Sequence, residues 1–289
     1  MSDSNKNLHT AHKKFTEFLK KQGRASATIV AYGNDIKQFI NYLTKEKKII
    51  QIISVHPEHI EDFKKYLAGK KYLAKSISRK LNSIKTFFRF LLSYGLIKND
   101  PASVVSHPRY EPAPPRILSK IEYRALRDCA RDDSRSAAII EVLLQTGMRV
   151  GELSRLTIDD ITDKEIKITP YESNQGRTVP LNSAVKKAIQ RWLNFRPKTN
   201  NKTLFVTKNG KPLPVRNIRT LFNRLFKKAG IENATINSLR HTFVAHQLMA
   251  GVPLELVQKI VGHKRLSTTE KYLELIQKQP VSIGRLEEL

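Results

Sequence analysis

Cysteine is almost absent. Cys129 stands alone in 289 residues, so the chain can build no internal disulfide and no cysteine-based metal site; it reads as a helix-packing residue. Long apolar runs are missing too, and no stretch approaches membrane-spanning length. The polar opening MSDSNKNLHT reads neither as a signal peptide nor as an anchor. A soluble intracellular protein with no membrane partner is expected. Internal repeats and low-complexity tracts are lacking. There is no phosphate-cradling glycine loop, no H-E-x-x-H motif and no carboxylate cluster. No metal and no cofactor is called for.

Negative charge is also scarce: 26 acidic residues face 52 basic ones, for a net charge of +26. The excess is the same, +13, in the first 110 residues and in the remainder. A single basic tail on a neutral body is thereby excluded. The even spread implies a polyanion lying along the whole molecule, and a nucleic-acid backbone fits best.

The first hundred residues read as helices. Ile29, Tyr32, Ile36, Phe39, Ile40 and Leu43 fall at helical spacing, with Ser26 or Thr28 as the expected cap. Ile77, Leu81, Ile84, Phe87, Phe88, Leu91 and Leu92 form a second stripe closed by Gly95, with Arg79, Lys80, Lys85 and Arg89 between them as an outer basic face. Shorter helices are predicted over 9–20 and 57–67. Five prolines then fall within residues 99–116. Proline cannot continue a helix, so a linker is expected, placed at 108–115 between a domain over 1–107 and a domain over 116–289. The second part reads as mixed: a helix capped by Ser119, an apolar helix over 136–146, a hairpin of EIKITPY and RTVPL around SNQG, then five more helices.

Three separated segments stand out. They are TGMRVGEL (146–153), LRHTF with a second histidine (239–246), and the stretch from Leu256 to Tyr272 that holds Gly262-His263 and Thr268-Thr269. Together, and in this order, they resemble the signature boxes of the tyrosine recombinase (phage integrase) family, in both its Xer-like and mobile-element branches. The likeness extends to the helical first part and to Val179-Pro180-Leu181 of the hairpin. It implies a mainly α fold with a small β-hairpin: a helical N-terminal core-binding (SAM-like) domain and a mixed α/β catalytic domain, gripping duplex DNA between them.

The resemblance also implies roles. Tyr272 takes the nucleophile's place, Arg149 and Arg240 the two catalytic arginines, His263 the following histidine, and Glu152 the supporting acid. The chemistry suits these residue types. Planar guanidiniums clamp the oxygens of a phosphodiester and stabilise the charge of its transition state. Arginines near Tyr272 are expected to favour its phenolate. Attack by that oxygen gives a 3′-phosphotyrosyl link that stores the bond, so resealing needs neither ATP nor metal. The implied substrate is double-stranded DNA with an inverted-repeat core site, exchanged within a homo-tetramer in the bacterial cytoplasm, on the nucleoid. Integration and the resolution of dimers or transposon cointegrates all fit.

Two positions depart from the family pattern. Asn237 stands where a histidine is usual, and asparagine carries no proton at neutral pH, so His263 would have to supply acid–base chemistry. Glu172 stands at the hairpin position of the catalytic lysine; Lys164, Lys167 and Arg177 are the candidate substitutes, with Lys167 preferred. His241 and His246 read as packing groups or as supports behind the site. These departures keep two alternatives open: a type IB topoisomerase-like enzyme, separable by whether paired sites are needed, and a recombinase-derived DNA-binding protein that no longer cuts. Past Pro280, the tail with Val281, Ile283, Leu286 and Leu289 is expected to dock on a neighbouring protomer.

Overall fold

The computed structural model of the chain describes residues 6–171 and 174–278. Glu172 and the tail beyond Lys278 lie outside the described residues. The chain divides between Ala113 and Pro114 into two compact units.

The first unit is a bundle of α1 (Leu8–Lys21), α2 (Ser26–Glu46), α3 (Pro57–Gly69) and α4 (Ala74–Ser93). The predicted stripes largely face inward: Phe39, Leu43, Leu81, Phe87, Phe88 and Leu91 are buried, as are Phe15 and Phe63, but Leu92, placed in the second stripe, is 41% exposed. Phe15 meets Phe87 edge-on at 5.3 Å between ring centres, a favoured aromatic geometry. Two expectations need correction. The residue flanking α2 is Ala25, with no side-chain cap; its carbonyl takes the amides of Thr28 and Ile29, so Ser26 and Thr28 already lie inside the helix. Nor is Lys80 part of the outer basic face. Its ammonium turns inward, 2.9 Å from Asp35 on α2. Asp35 is 2% exposed and also accepts two hydrogen bonds from Arg79 and one from Ser83. Burying a carboxylate demands such partners, and here they tie α4 to α2.

The proline-rich segment is anchored at its start. Ala102 and Val105 are buried in the first unit's core, and His107 bonds Ser78 on α4.

The second unit holds α5 (Lys120–Cys129), α6 (Ser134–Thr146), the short α7 (Val150–Leu153), β1 (Glu165–Ile168), β2 (Arg177–Pro180), α8 (Ser183–Phe195), α9 (Val215–Lys228), α10 (Ile236–Met249), α11 (Leu254–Val261) and α12 (Ser267–Lys278). Ser119 caps α5 as expected, in a reciprocal pair with Glu122. Cys129 ends that helix and packs against the core. β1 and β2 pair antiparallel, with Ile166 opposite Val179 and Ile168 opposite Arg177; Ile166, Ile168 and Val179 are buried. α6 is apolar on most sides and runs through the core. It ends at Gly147, and α11 ends at Gly262, both with left-handed backbone (φ +60° and +68°). No helix among the described residues is long and apolar enough to cross a membrane.

Candidate active site

Glu152 organises one side of the site. α7 begins directly after Arg149, so the Glu152 side chain folds back onto the Arg149 amide at 2.8 Å. The same carboxylate accepts Arg149 Nη1 at 3.1 Å and both terminal nitrogens of Arg177 at 2.9 and 2.8 Å. Glu152 is buried. Burial opposes its charge, but the Arg177 hydrogen bonds and the charge of both arginines prevail and hold its carboxyl down at about 2.

The two arginines aligned with the clamp are each fixed by a glycine carbonyl. Arg149 Nη2 donates to Gly262 at 3.0 Å, and Arg240 Nη1 donates to Gly147 at 2.6 Å. Both glycines are constrained by packing as well as by φ. A Cβ on Gly147 would lie 2.4 Å from the Phe243 ring, and one on Gly262 would lie 3.1 Å from Arg177 Nη1. Arg240 is 7% exposed, and its Nη2 is buried without a hydrogen-bond partner among the described residues. Burial, with Arg149 and Arg177 nearby, lowers it to about 9, still cationic at neutral pH. A buried guanidinium nitrogen left open is costly and is the expected state of a group built to meet an anion.

Tyr272 projects from α12 and is 4% exposed. Its ring lies between two imidazoles: stacked with His263 at 6.2 Å and tilted against His241 at 5.9 Å. The hydroxyl oxygen is 2.6 Å from His241 Nδ1. His263 Nδ1 instead meets Thr269 Oγ1 at 2.9 Å. Burial first, then Arg240 and Arg149, push His263 down to about 4, so its ring is neutral at physiological pH. Two sequence expectations change here. Arginines were expected to favour the phenolate, but burial outweighs Arg240 and the Tyr272 hydroxyl is raised. His241 was read as a packing group or a support behind the site, yet its imidazole directly touches the Tyr272 oxygen. Its signal was present in the sequence as the spacing of four from Asn237, which puts both on one face of α10. His246 packs edge-on against Tyr123, as read.

An open basin of about 600 Å³ is lined by Arg149, Arg177, His263 and the hairpin-tip residues Asn174 to Gly176, with Lys259 and Lys264 beside them. Its charge suits phosphate. Asn237 sits exposed in the first turn of α10. Arg177, a candidate proton donor, is tied off: besides Glu152 it binds the Ile260 carbonyl at 2.6 Å, and a guanidinium so held keeps its proton. Lys167 pairs with Thr178 across the hairpin, so it points to the face opposite Arg177; Lys164 lies just before β1 and is exposed. No group of residues able to hold a metal occurs among the described residues.

Both units resemble known proteins. Residues 116–279 match the phage integrase family model, and residues 13–95 match the phage integrase N-terminal SAM-like domain. A tyrosine recombinase XerC from Thermodesulfovibrio yellowstonii is 31% identical over 214 residues, 69% of this chain and 71% of that protein. Among solved structures, XerA recombinase is 29% identical with a TM-score of 0.53, covering 91% of this chain and 92% of its own. A lambda integrase tetramer bound to a Holliday junction shares the fold at a TM-score of 0.76 and 19% identity, covering 91% of this chain and 79% of its own.

Proposed function

The chain belongs to the phage integrase family of tyrosine recombinases, and from that premise we propose that it cuts and rejoins duplex DNA at two specific sites through a covalent link on Tyr272. The observation that carries this reading is a buried tyrosine close enough to Arg240 to feel its charge, with the Arg240 Nη2 lacking a partner among the described residues. In the proposed reaction the scissile phosphate enters the basin beside Arg149 and completes the bonding of Arg240. Two preorganised guanidiniums then stabilise the charge that builds on its oxygens. Tyr272 attacks phosphorus, the 5′-oxygen leaves, and the phosphotyrosyl bond holds the 3′ end until a second strand reclaims it. Glu152 and Arg177 position Arg149. For the leaving oxygen, Lys167 is the proposed proton source and Lys164 the runner-up; because Lys167 lies on the hairpin face opposite Arg177, this role requires the hairpin to turn when DNA binds. The tetramer seen for lambda integrase on a Holliday junction supports exchange within four protomers, and the XerC relatives support action on bacterial DNA in the cytoplasm.

A nicked suicide substrate run on a denaturing gel tests this. Wild type should accumulate a covalent protein–DNA adduct, and Tyr272→Phe should form none while binding the site normally. An adduct persisting in Tyr272→Phe would move the nucleophile elsewhere.

A further inference from the structure

Asn237 and His241 stand four residues apart on α10, one turn from each other on a shared face. The first is exposed and carries no titratable proton. The second places Nδ1 at 2.6 Å from the Tyr272 oxygen, well inside ordinary hydrogen-bond distance. A phenol can donate its hydrogen to Nδ1 or accept one from it; the tautomer with its hydrogen on Nε2 is the one in which Nδ1 receives the Tyr272 hydrogen. The other imidazole near the nucleophile stacks on its ring and spends Nδ1 on Thr269.

We propose that His241 is the general base of strand cleavage, the acid–base imidazole having moved one helical turn from position 237. This rests on the recombinase reading above. The Tyr272 O–H bond breaks and its proton passes to His241 Nδ1 as the oxygen bonds to phosphorus. The bond from phosphorus to the 5′-oxygen breaks, and that oxygen takes a proton from water or a hairpin lysine. On rejoining, a 5′-hydroxyl attacks phosphorus and returns its proton to the group that had supplied it. The bond from phosphorus to the Tyr272 oxygen breaks, and His241 gives its proton back to that oxygen. The charged and titratable groups around His241 are Arg240 on its own helix, Tyr272 on α12 and His263 beyond α11. Burial and then Arg240 keep the His241 imidazole below its ordinary value, so at neutral pH it is unprotonated and able to accept. Burial raises the Tyr272 hydroxyl, so a base is needed.

The test follows adduct formation on the nicked suicide substrate across pH, for wild type, His241→Gln and His241→Ala. Glutamine keeps a hydrogen-bonding amide near the phenol but takes no proton. Both variants should bind the site and melt like wild type. Both should cleave about 10²- to 10⁴-fold more slowly at neutral pH. Their rates should climb with pH through the range where wild type is flat, and added imidazole should partly restore His241→Ala. If His241→Gln cleaves at the wild-type rate with the wild-type pH profile, His241 only packs. A loss with an unchanged profile and no imidazole rescue makes it a positioning residue, and the base assignment falls. If wild type itself forms no adduct, the recombinase reading fails first.

Discussion

Each unit of the chain buries one carboxylate among cations, and the two clusters end differently. Asp35 in the first unit gathers Arg79, Lys80 and Ser83. Glu152 in the second gathers Arg149 and Arg177, but Arg240, close by, has no carboxylate and keeps one nitrogen unpartnered. A cluster that serves stability closes its hydrogen bonds; one that serves chemistry leaves a bond for the substrate to make.

The largest expected effect lies on the closed side. Asp35→Ala should leave Lys80 uncompensated and lower the stability of the first unit by about 3–5 kcal/mol. Trp192, the sole tryptophan, lies in the second unit. Its fluorescence transition should therefore stay in place while the helical circular dichroism transition drops. A shift of both would show that the two clusters are not independent.

Arg240→Lys should do the reverse. The ammonium keeps the charge and loses the fork, so adduct formation should fall about 10²- to 10³-fold while melting and duplex affinity hold. Near-native cleavage would remove Arg240 from the clamp.

Gly147→Ala should disturb both properties. The methyl group meets the Phe243 ring, and a left-handed residue other than glycine costs roughly 1–3 kcal/mol. Cleavage should drop with stability, because the displaced carbonyl is the one that fixes Arg240. Normal cleavage in a destabilised variant would separate the latch from the chemistry.

The smallest effect is a pH dependence. His263 has a folded value depressed from 6.5 to about 4, and Glu152 one depressed from 4.5 to about 2. In both, the unfolded chain binds the proton more readily, so stability falls as pH falls. The His263 contribution is complete above 6.5 and is lost toward 4; that of Glu152 is complete above 4.5 and is lost toward 2. For Glu152 the slope is at most about 1.4 kcal/mol per pH unit. Urea unfolding followed by Trp192 should show stability declining below 6.5 and more steeply below 4.5. Stability that stays flat there would mean these groups are less enclosed than described.

Much of this was legible in the sequence, because periodicity reports which face is buried. The stripes of α2 and α4, the Ser119 cap and the hairpin all follow from local spacing. The three motif segments named Arg149, Glu152, Arg240, His263 and Tyr272, and the fold brings all five together. What spacing could not supply was direction in three dimensions. Lys80 looks like any basic residue beside an apolar stripe until Asp35 arrives from another helix. His241 follows Arg240 by one residue, which turns it about a quarter of the way around α10, and only the approach of α12 reveals what it meets. The balance at Tyr272 between burial and Arg240 likewise depends on packing depth, which no motif encodes.

The two glycine carbonyls have a consequence for how the protein is made. The first motif segment lends a carbonyl to Arg240 of the second, 93 residues away, and takes one from Gly262 of the third, 113 residues away. Contacts of such sequence separation form after large losses of chain entropy and are reached slowly. One latch needs the first and second segments and the other the first and third, so the site is complete only when all three have arrived. A partly folded chain would bind DNA through its charge without owning a finished blade. For an enzyme that cuts and rejoins DNA, that order of assembly is itself a safeguard.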